Sequence, residues 1–134
     1  MTAKFSCEVK NDFYLWFCGN QRQGSDDRLL ESLSLKERAK IFAYIDKLVE
    51  LKGAGIQPKE NLSKHLGDGI FELRVSFENR ISRSLYFYES ERQIIFTHGF
   101  VKNEQKTSKG EIERAISIRK ALRGEKWIPR KNTF

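Results

Sequence analysis

Apolar and polar residues recur with two different periods along the chain, and each period predicts an element. Residues 5–10 alternate one by one, which is typical of a half-buried strand. Ser34 followed by Glu37 forms a capping box, beyond which apolar residues recur at helical spacing up to about Lys52. These residues are Leu35, Ala39, Ile41, Phe42, Ile45, Leu48 and Val49. Because they span an arc of roughly 200°, we expect this helix to be deeply packed.

The middle of the chain predicts three successive strands. After the turn signal Gly67-Asp68-Gly69, residues 71–77 alternate between apolar and polar, and runs over 81–88 and 93–98 follow after short polar breaks. Strands this close in sequence form an antiparallel meander, because parallel neighbours need a long crossover. A second capping box, Ser108 with Glu111, begins a helix that runs to about Leu122. The pattern predicts an α+β fold: an N-terminal strand and helix packed on a twisted antiparallel sheet, then a C-terminal helix.

Length and composition limit the class of protein. The chain has 134 residues, of which 39% are hydrophobic and 32% are charged, so we expect a single domain over 1–134 with a hydrophobic core. No apolar run approaches the roughly 18 residues of a membrane helix, and the N-terminal pattern does not match a signal peptide. We therefore expect a cytoplasmic protein without membrane association.

Cysteine and histidine are too few for a typical metal site. Cys7, Cys18, His65 and His98 have neither C-x-x-C nor H-x-x-x-H spacing, so we expect no metal and no cofactor. The spacing leaves open a disulfide between the two cysteines, with free thiols in a reducing cytosol as the alternative.

Positive charge is concentrated at the C-terminal end. Residues 102–134 hold 10 Lys and Arg against 4 Asp and Glu, whereas residues 1–101 hold 15 against 14, and the net charge is +7. This asymmetry favours a polyanionic partner, either nucleic acid, an acidic protein or an anionic surface, with a solvated tail as the alternative. The basic tail, 123–134, mixes aromatic and basic residues as RNA-binding segments do, and a flexible terminus is the other interpretation.

Basic side chains also gather around the predicted sheet. Arg74 lies on the polar side of its strand, while Arg83 shares the parity of apolar neighbours and needs a reason to be there. Arg83 either pairs with Glu72 or Glu89 or lines a cleft that binds an anion. A cationic loop, expected after a strand end at Gly99, adds two lysines, Lys102 and Lys106. Together with Tyr86, these are groups that metal-free RNA cleavage requires, although a surface that only binds has the same residues.

Five segments, in order, resemble the RelE/HigB superfamily of bacterial toxins in its phage-derived branch. They are ERAKIFAYIDKLVELKG (37–53), LSKHLGDGIFELRV (62–75), RSLYF (83–87), HGFVK (98–102) and KTSKGEIERA (106–115). The resemblance runs from about Leu35 to Leu122. It implies an endoribonuclease toxin that cleaves messenger RNA on the translating ribosome. It also implies a cognate antitoxin, usually of helix-turn-helix type, that neutralises the toxin in a hetero-oligomer.

The resemblance matches five basic residues to positions of the family: Lys64, Arg74, Arg83, Lys102 and Lys106. The other candidates below come from the chemistry and placement of the residues themselves. The candidate catalytic residues are Arg74, Arg83, Lys102, Tyr86 and Lys106. The candidate RNA-binding residues are Lys64, His65, His98, Lys109, Arg119 and Arg123. For Arg119 and Arg123, the alternative is that the side chains snorkel at a helix end. For the two histidines, the alternative is a structural hydrogen bond.

Two positions depart from the family pattern. Asn103 stands where a second lysine is usual, and Thr107-Ser108 where Thr-Pro is common. The missing lysine keeps open a second function, a module of the same fold that binds RNA, ribosome or partner without chemistry. A third interpretation is a regulatory subunit whose basic tail serves an acidic partner. The aromatic run 13–17 lies outside the resemblance, and it is either buried in the core or a surface for the antitoxin.

Overall fold

The computed structural model describes residues 4–10, 13–19, 33–90, 92–102 and 107–124. Its elements, in order, are β1 (Lys4–Lys10), β2 (Phe13–Gly19), α1 (Leu35–Gly53), β3 (Ser63–Gly67), β4 (Ile70–Ser76), β5 (Ile81–Ser90), β6 (Gln93–Lys102) and α2 (Lys109–Gly124). The strands form one six-stranded sheet in the order β1-β2-β6-β5-β4-β3. The predicted α+β fold, with a helix before the meander and a helix after it, is confirmed. Beyond Gly124, the basic tail lies outside the described residues.

The sheet combines the predicted meander with an N-terminal hairpin. Strands β4, β5 and β6 pair antiparallel in sequence order, and β3 adds to β4 in the same sense. The aromatic run 13–17 belongs to a strand, β2, which pairs antiparallel with β1 and parallel with β6. Phe13 and Leu15 of this run are buried, which confirms the core interpretation for those two residues. The chain between β2 and β6 supplies the long crossover that a parallel pair requires.

Strand β6 continues beyond Gly99, where we expected it to end. Its pairing with β5 runs from Ser84 opposite Gly99 to Ile81 opposite Lys102, so Lys102 belongs to the sheet and not to a loop. A bulge accompanies this extension, because Leu85 faces His98 while the next residue, Tyr86, faces Phe96. The extra residue in β6 reverses which face its later side chains project from.

The register of the N-terminal hairpin bears on the cysteines. Cys7 lies opposite Trp16, and Cys18 lies opposite Phe5. The cysteines are therefore diagonal neighbours, for which Cα atoms are typically about 7–8 Å apart. Since a disulfide rarely spans more than about 7 Å between Cα atoms, the register favours free thiols.

Two hydrophobic cores lie on opposite faces of the sheet. On one face, α1 contributes Ile41, Ile45, Leu48 and Val49 to a core with Leu73, Val75, Tyr86, Ile94 and Phe96. On the other face, α2 contributes Ala115 and Leu122 to a core with Ile70, Leu85, Phe87 and Ile95. We call these the α1 face and the α2 face. Within the described ranges, neither helix has the length and apolar character to cross a membrane.

Helix α1 begins at its predicted cap but packs less deeply than expected. Ser34 Oγ accepts from the Glu37 N–H at 3.2 Å, and Glu37 Oε1 accepts from the Ser34 N–H at 2.9 Å. The expectation of deep packing was wrong, however, because Leu35 is 81% exposed and Phe42 is 38% exposed. A helix on one sheet face buries only the side that it turns to that face.

This packing predicts unequal costs for truncating the apolar residues of α1. Ile45→Ala should lower the free energy of unfolding by about 2–5 kcal/mol, because it removes buried methyl groups and leaves a cavity. Leu35→Ala, the exposed control, should change it by less than about 0.5 kcal/mol. Urea denaturation followed by circular dichroism measures both, and equal losses would contradict the assignment of the buried side.

Candidate functional site

Charged side chains of four neighbouring strands gather toward one end of the α2 face. Directly opposed residues of antiparallel strands project to the same face. One such row across β3, β4, β5 and β6 consists of Lys64, Glu72, Leu85 and His98. The adjacent row across β4, β5 and β6 consists of Arg74, Arg83 and Phe100. The antiparallel pairing thus brings together cations that are far apart in sequence.

The centre of this cluster is a carboxylate bound by two guanidinium groups. Arg74 Nε donates to Glu72 Oε1 at 2.6 Å, and Arg83 Nη1 donates to the same oxygen at 3.1 Å. Arg83 Nη1 also lies 3.1 Å from Thr107 Oγ1, just before α2. We call these four residues the arginine cluster. Glu72 was one of the two partners that the sequence suggested for Arg83, and that prediction is confirmed.

Burial divides the arginine cluster into a hidden part and an accessible part. The side chains of Glu72 and Arg83 have no exposed surface, whereas the side chain of Arg74 is 23% exposed. A buried carboxylate is tolerated only when cations and hydrogen bonds replace its water. Two arginines against one glutamate leave an excess of one positive charge. Of these three charged groups, Arg74 is the one that an anion in solution can reach.

A buried histidine lies in the neighbouring row. His98 Nε2 donates to Glu111 Oε1 at 3.0 Å, because a carboxylate can only accept, and Nδ1 lies 3.1 Å from Thr97 Oγ1. Burial lowers the pKa of His98, the nearby Arg114 lowers it further, and Glu111 opposes both effects. The imidazole is therefore neutral at pH 7.

The start of α2 forms hydrogen bonds with both Arg83 and His98. Glu111 N–H donates to Ser108 Oγ at 3.4 Å, as the predicted cap requires. The Glu111 carboxylate reaches His98, while Thr107 reaches Arg83. A segment that the sequence pattern marks as a helix start thus also holds two buried groups of the sheet in place.

The model of the family described as phage derived protein Gp49-like (DUF891) matches residues 28–120. The chain belongs to this family. The Gp49-like family is part of the RelE/HigB-type toxin superfamily, so the chain is a toxin-like phage-derived protein, and membership points to an antitoxin partner. No curated protein matches the chain.

The part matched by the Gp49-like family contains the whole cluster, and four of the predicted site residues meet there. Arg74, Arg83, Lys64 and His98 share the α2 face. The backbone of Lys102 lies in the next row, opposite Ile81. The side chain of Lys102 and the whole of Lys106 lie outside the described residues.

Two predicted residues lie on the opposite face. Tyr86 is buried in the α1-face core, and its hydroxyl forms a hydrogen bond with Ser63 Oγ. Burial, and to a lesser extent Tyr88, raises the pKa of Tyr86. His65 stacks on Phe71, with ring centroids 4.6 Å apart, and Phe71 stacks on Tyr86 at 5.5 Å. These rings form an aromatic ladder, so the sheet separates Tyr86 and His65 from the arginine cluster.

Three predicted RNA-binding residues lie on α2, and two of these point to the far end of the sheet. Arg119 Nη1 donates to the Asp68 carbonyl at 2.6 Å, and its guanidinium carbon lies 5.8 Å from the Phe87 ring centroid. Arg123 contacts the same ring at 5.8 Å and pairs with Glu89 at 3.0 Å. These contacts agree with snorkelling at a helix end, the alternative given for these arginines, and RNA binding by them stays a prediction. Lys109, at the start of α2, is exposed.

The structure gives roles to three residues that were not among the candidate site residues. They are Glu72 as the shared anion, Thr107 as the partner of Arg83, and Glu111 as the partner of His98. A signal for Glu72 existed, because it lies two residues before Arg74 and therefore on the same side of the strand. Across the described ranges, no group of three or more His, Cys, Asp or Glu residues could hold a metal ion.

Neutralising Glu72 should destabilise the fold. Glu72→Gln keeps the shape of the side chain but leaves Arg74 and Arg83 without their shared anion, so we expect a loss of about 3–5 kcal/mol in the free energy of unfolding. Glu78→Gln, an exposed change in the turn between β4 and β5, should cost less than about 0.5 kcal/mol. Urea denaturation compares the two, and a loss under about 1 kcal/mol for Glu72→Gln would refute the central role of this carboxylate.

His98 predicts a pH-dependent stability. Its pKa in the folded chain lies below the unfolded value of about 6.5, so protons bind preferentially to the unfolded chain. The free energy of unfolding should therefore fall as the pH drops below about 6.5. His98→Gln should flatten this slope between about pH 7 and 5, while the exposed control His65→Gln should retain it. Denaturation at a series of pH values measures the slopes, and an unchanged slope in His98→Gln would contradict the assignment.

Proposed function

We propose that this chain is the toxin of a toxin–antitoxin pair and an endoribonuclease that cleaves messenger RNA on the translating ribosome. Its partners would be a cytoplasmic helix-turn-helix antitoxin, messenger RNA and the ribosome. The observation that supports this best is the environment of the Arg74 side chain. Its guanidinium is held by the buried carboxylate of Glu72 on an otherwise cationic part of the sheet, in a chain of a toxin family.

Arg74 and Arg83 take different roles in this proposal. Cleavage by the 2′-hydroxyl builds negative charge on the phosphate oxygens, and a planar guanidinium stabilises that charge through paired hydrogen bonds. Arg74 has the exposed surface to make such contacts. Arg83 has none, so we assign it as a positioning residue that fixes Glu72, which in turn fixes the Nε edge of Arg74.

Proton transfer is assigned to two lysines, one of which, Lys102, has its backbone in the row next to Arg74 and Arg83. The attacking 2′-hydroxyl must lose a proton, and the departing 5′-oxygen must gain one. We assign these steps to Lys102, with Lys106, because a lysine amine can act as general base or general acid and both residues match basic positions of the toxin superfamily that the chain resembles. No step requires a metal ion. We leave Tyr86 out of the mechanism, because its hydroxyl is bonded to Ser63 on the opposite face and holds its proton.

His98 receives a structural role in the proposal. Its side chain is only 1% exposed and already bonded to Glu111. A substrate phosphate cannot reach it in this arrangement. We assign it to holding the first turn of α2 against the sheet beside the arginine cluster.

The burial of Arg83 and His98 also favours a second function, a module that binds RNA or the ribosome without cleaving it. With both groups inside, Arg74 is left as the accessible cation of the arginine cluster. A basic surface of this kind binds phosphates in a strongly salt-dependent manner. In that case no cleavage product forms.

Induced expression in a bacterium separates the two functions. The wild type should arrest growth and create new, translation-dependent 5′ ends in messenger RNA. Arg74→Ala should lower cleavage by about 10²- to 10³-fold, as loss of a transition-state donor does, while Arg74→Lys should retain part of it. Mapping of 5′ ends measures cleavage, and soluble yield with circular dichroism checks the fold.

Arg92→Ala is the matched control for this experiment. Arg92 is an exposed arginine just before β6, at the end of the strands away from Arg74, so its removal should leave arrest and cleavage unchanged. Full toxicity of Arg74→Ala would overturn the site. Normal growth and intact messages with folded wild-type protein would replace the endoribonuclease by the binding module.

A further inference from the structure

A groove runs between α1 and the outer edge of β4. Strand β3 pairs with β4 only as far as Ser63 opposite Leu73, so the last part of β4 faces the helix across a gap. The gap has a volume of about 420 Å³. Its lining includes Tyr44, Lys47, Asn61, Leu62, Arg74 and Ser76. Arg74 thus lines this groove and also belongs to the arginine cluster.

Two of the polar backbone groups along this edge are already engaged. Arg74 N–H donates to the Leu62 carbonyl at 2.9 Å, and the Ser76 carbonyl accepts from Lys40 Nζ. A peptide that adds to a sheet edge needs such groups as its partners. The groove therefore offers mainly side chains, which disfavours an extended peptide as its occupant.

The side chains that line the groove suit a nucleotide. Lys47 and Arg74 are cationic, Asn61 carries an amide, Tyr44 carries a ring, and no lining residue is acidic. Lys40 Nζ lies 5.8 Å from the centre of the Tyr44 ring and adds further positive charge. Two carboxylates contact these cations. Glu72 Oε1 accepts from Arg74 Nε at 2.6 Å, and Glu50 lies 3.4 Å from Lys47 Nζ in a pair that is weak because both side chains are more than half exposed.

We infer that the groove binds the RNA nucleotide next to the phosphate that Arg74 holds. The base contacts Tyr44 and Leu62, the amide of Asn61 forms hydrogen bonds with the base edge, and Lys40 and Lys47 lie toward the backbone. Single-stranded RNA is recognised in this way, by stacking on aromatic side chains and by amides that read base edges. The volume lies within the range of roughly 300–1,000 Å³ typical of small-ligand sites. The inference rests on the proposed function and adds to it a determinant of base preference.

Mapping of cleavage sites in cells tests the groove separately from the catalytic proposal. The wild type should cut with a bias for one base at a position beside the cleaved bond. Asn61→Ala should remove that bias, so that the favoured base loses about a tenfold advantage, while cutting continues. Tyr44→Leu should instead lower cutting at all sites by about tenfold, because stacking does not depend on base identity. Gln57→Ala, an exposed amide outside the groove lining, is the control and should match the wild type.

The outcomes separate failure of the groove from failure of the proposed function. If the wild type cuts and Asn61→Ala retains the same base bias, the groove is not the base site, and the endoribonuclease proposal stands. If the variants keep wild-type cleavage but lose capture of the co-expressed antitoxin, the groove is a protein-docking site and the inference is overturned. If the wild type cuts nothing, the proposed function fails first, and this inference fails with it. Asn61→Gln serves as a second variant if Asn61→Ala is insoluble, and it should shift the bias.

Discussion

Burying a carboxylate away from water costs free energy unless cations and hydrogen bonds replace its hydration. The polar part of the α2 face is organised around one such carboxylate, Glu72. Glu72 satisfies its charge with Arg74 on one side and Arg83 on the other, and Arg83 in turn needs Thr107. These contacts join β4, β5 and the segment before α2 into one unit. A slip of one residue between β4 and β5 would move Glu72 or Arg83 to the α1 face, away from its partners in the arginine cluster. The buried charge therefore fixes the strand register as firmly as the hydrophobic core does.

The two faces of the sheet differ in polarity. The α1 face is apolar and contains the aromatic ladder from His65 through Phe71 to Tyr86. The α2 face is apolar beneath Ala115 and Leu122 but polar near the start of α2. This division explains why Arg83 and Tyr86, three residues apart, belong to different environments. In a strand, an odd separation always places two side chains on opposite faces.

Much of the fold could be predicted because its elements are strictly periodic and clearly capped. The Ser34–Glu37 box and the alternation through Leu73 and Val75 predict α1 and β4 closely. Strand β2 was not predicted, because its run of consecutive aromatic residues has no period of two. The exposure of Phe42 was missed for a different reason, since the width of an apolar arc does not say how many neighbours a helix has. Of the site, Arg74 and Arg83 were found, but their separation into an accessible and a buried guanidinium depends on tertiary packing around Glu72.

The parallel pairing of β2 with β6 has a consequence for biosynthesis. A ribosome delivers the chain from the N-terminus, so the hairpin of β1 and β2 emerges long before the strand that completes its second edge. The meander can assemble from neighbouring segments, whereas this junction must wait for β6 and closes a long loop, which gives it a high contact order. A chain that terminates before β6 would retain α1 with β3, β4 and β5, but its N-terminal hairpin would lack the strand that joins it to them. Closure of the sheet thus requires β6 to have been synthesised, and a nascent fragment that lacks β6 cannot present the finished α2 face.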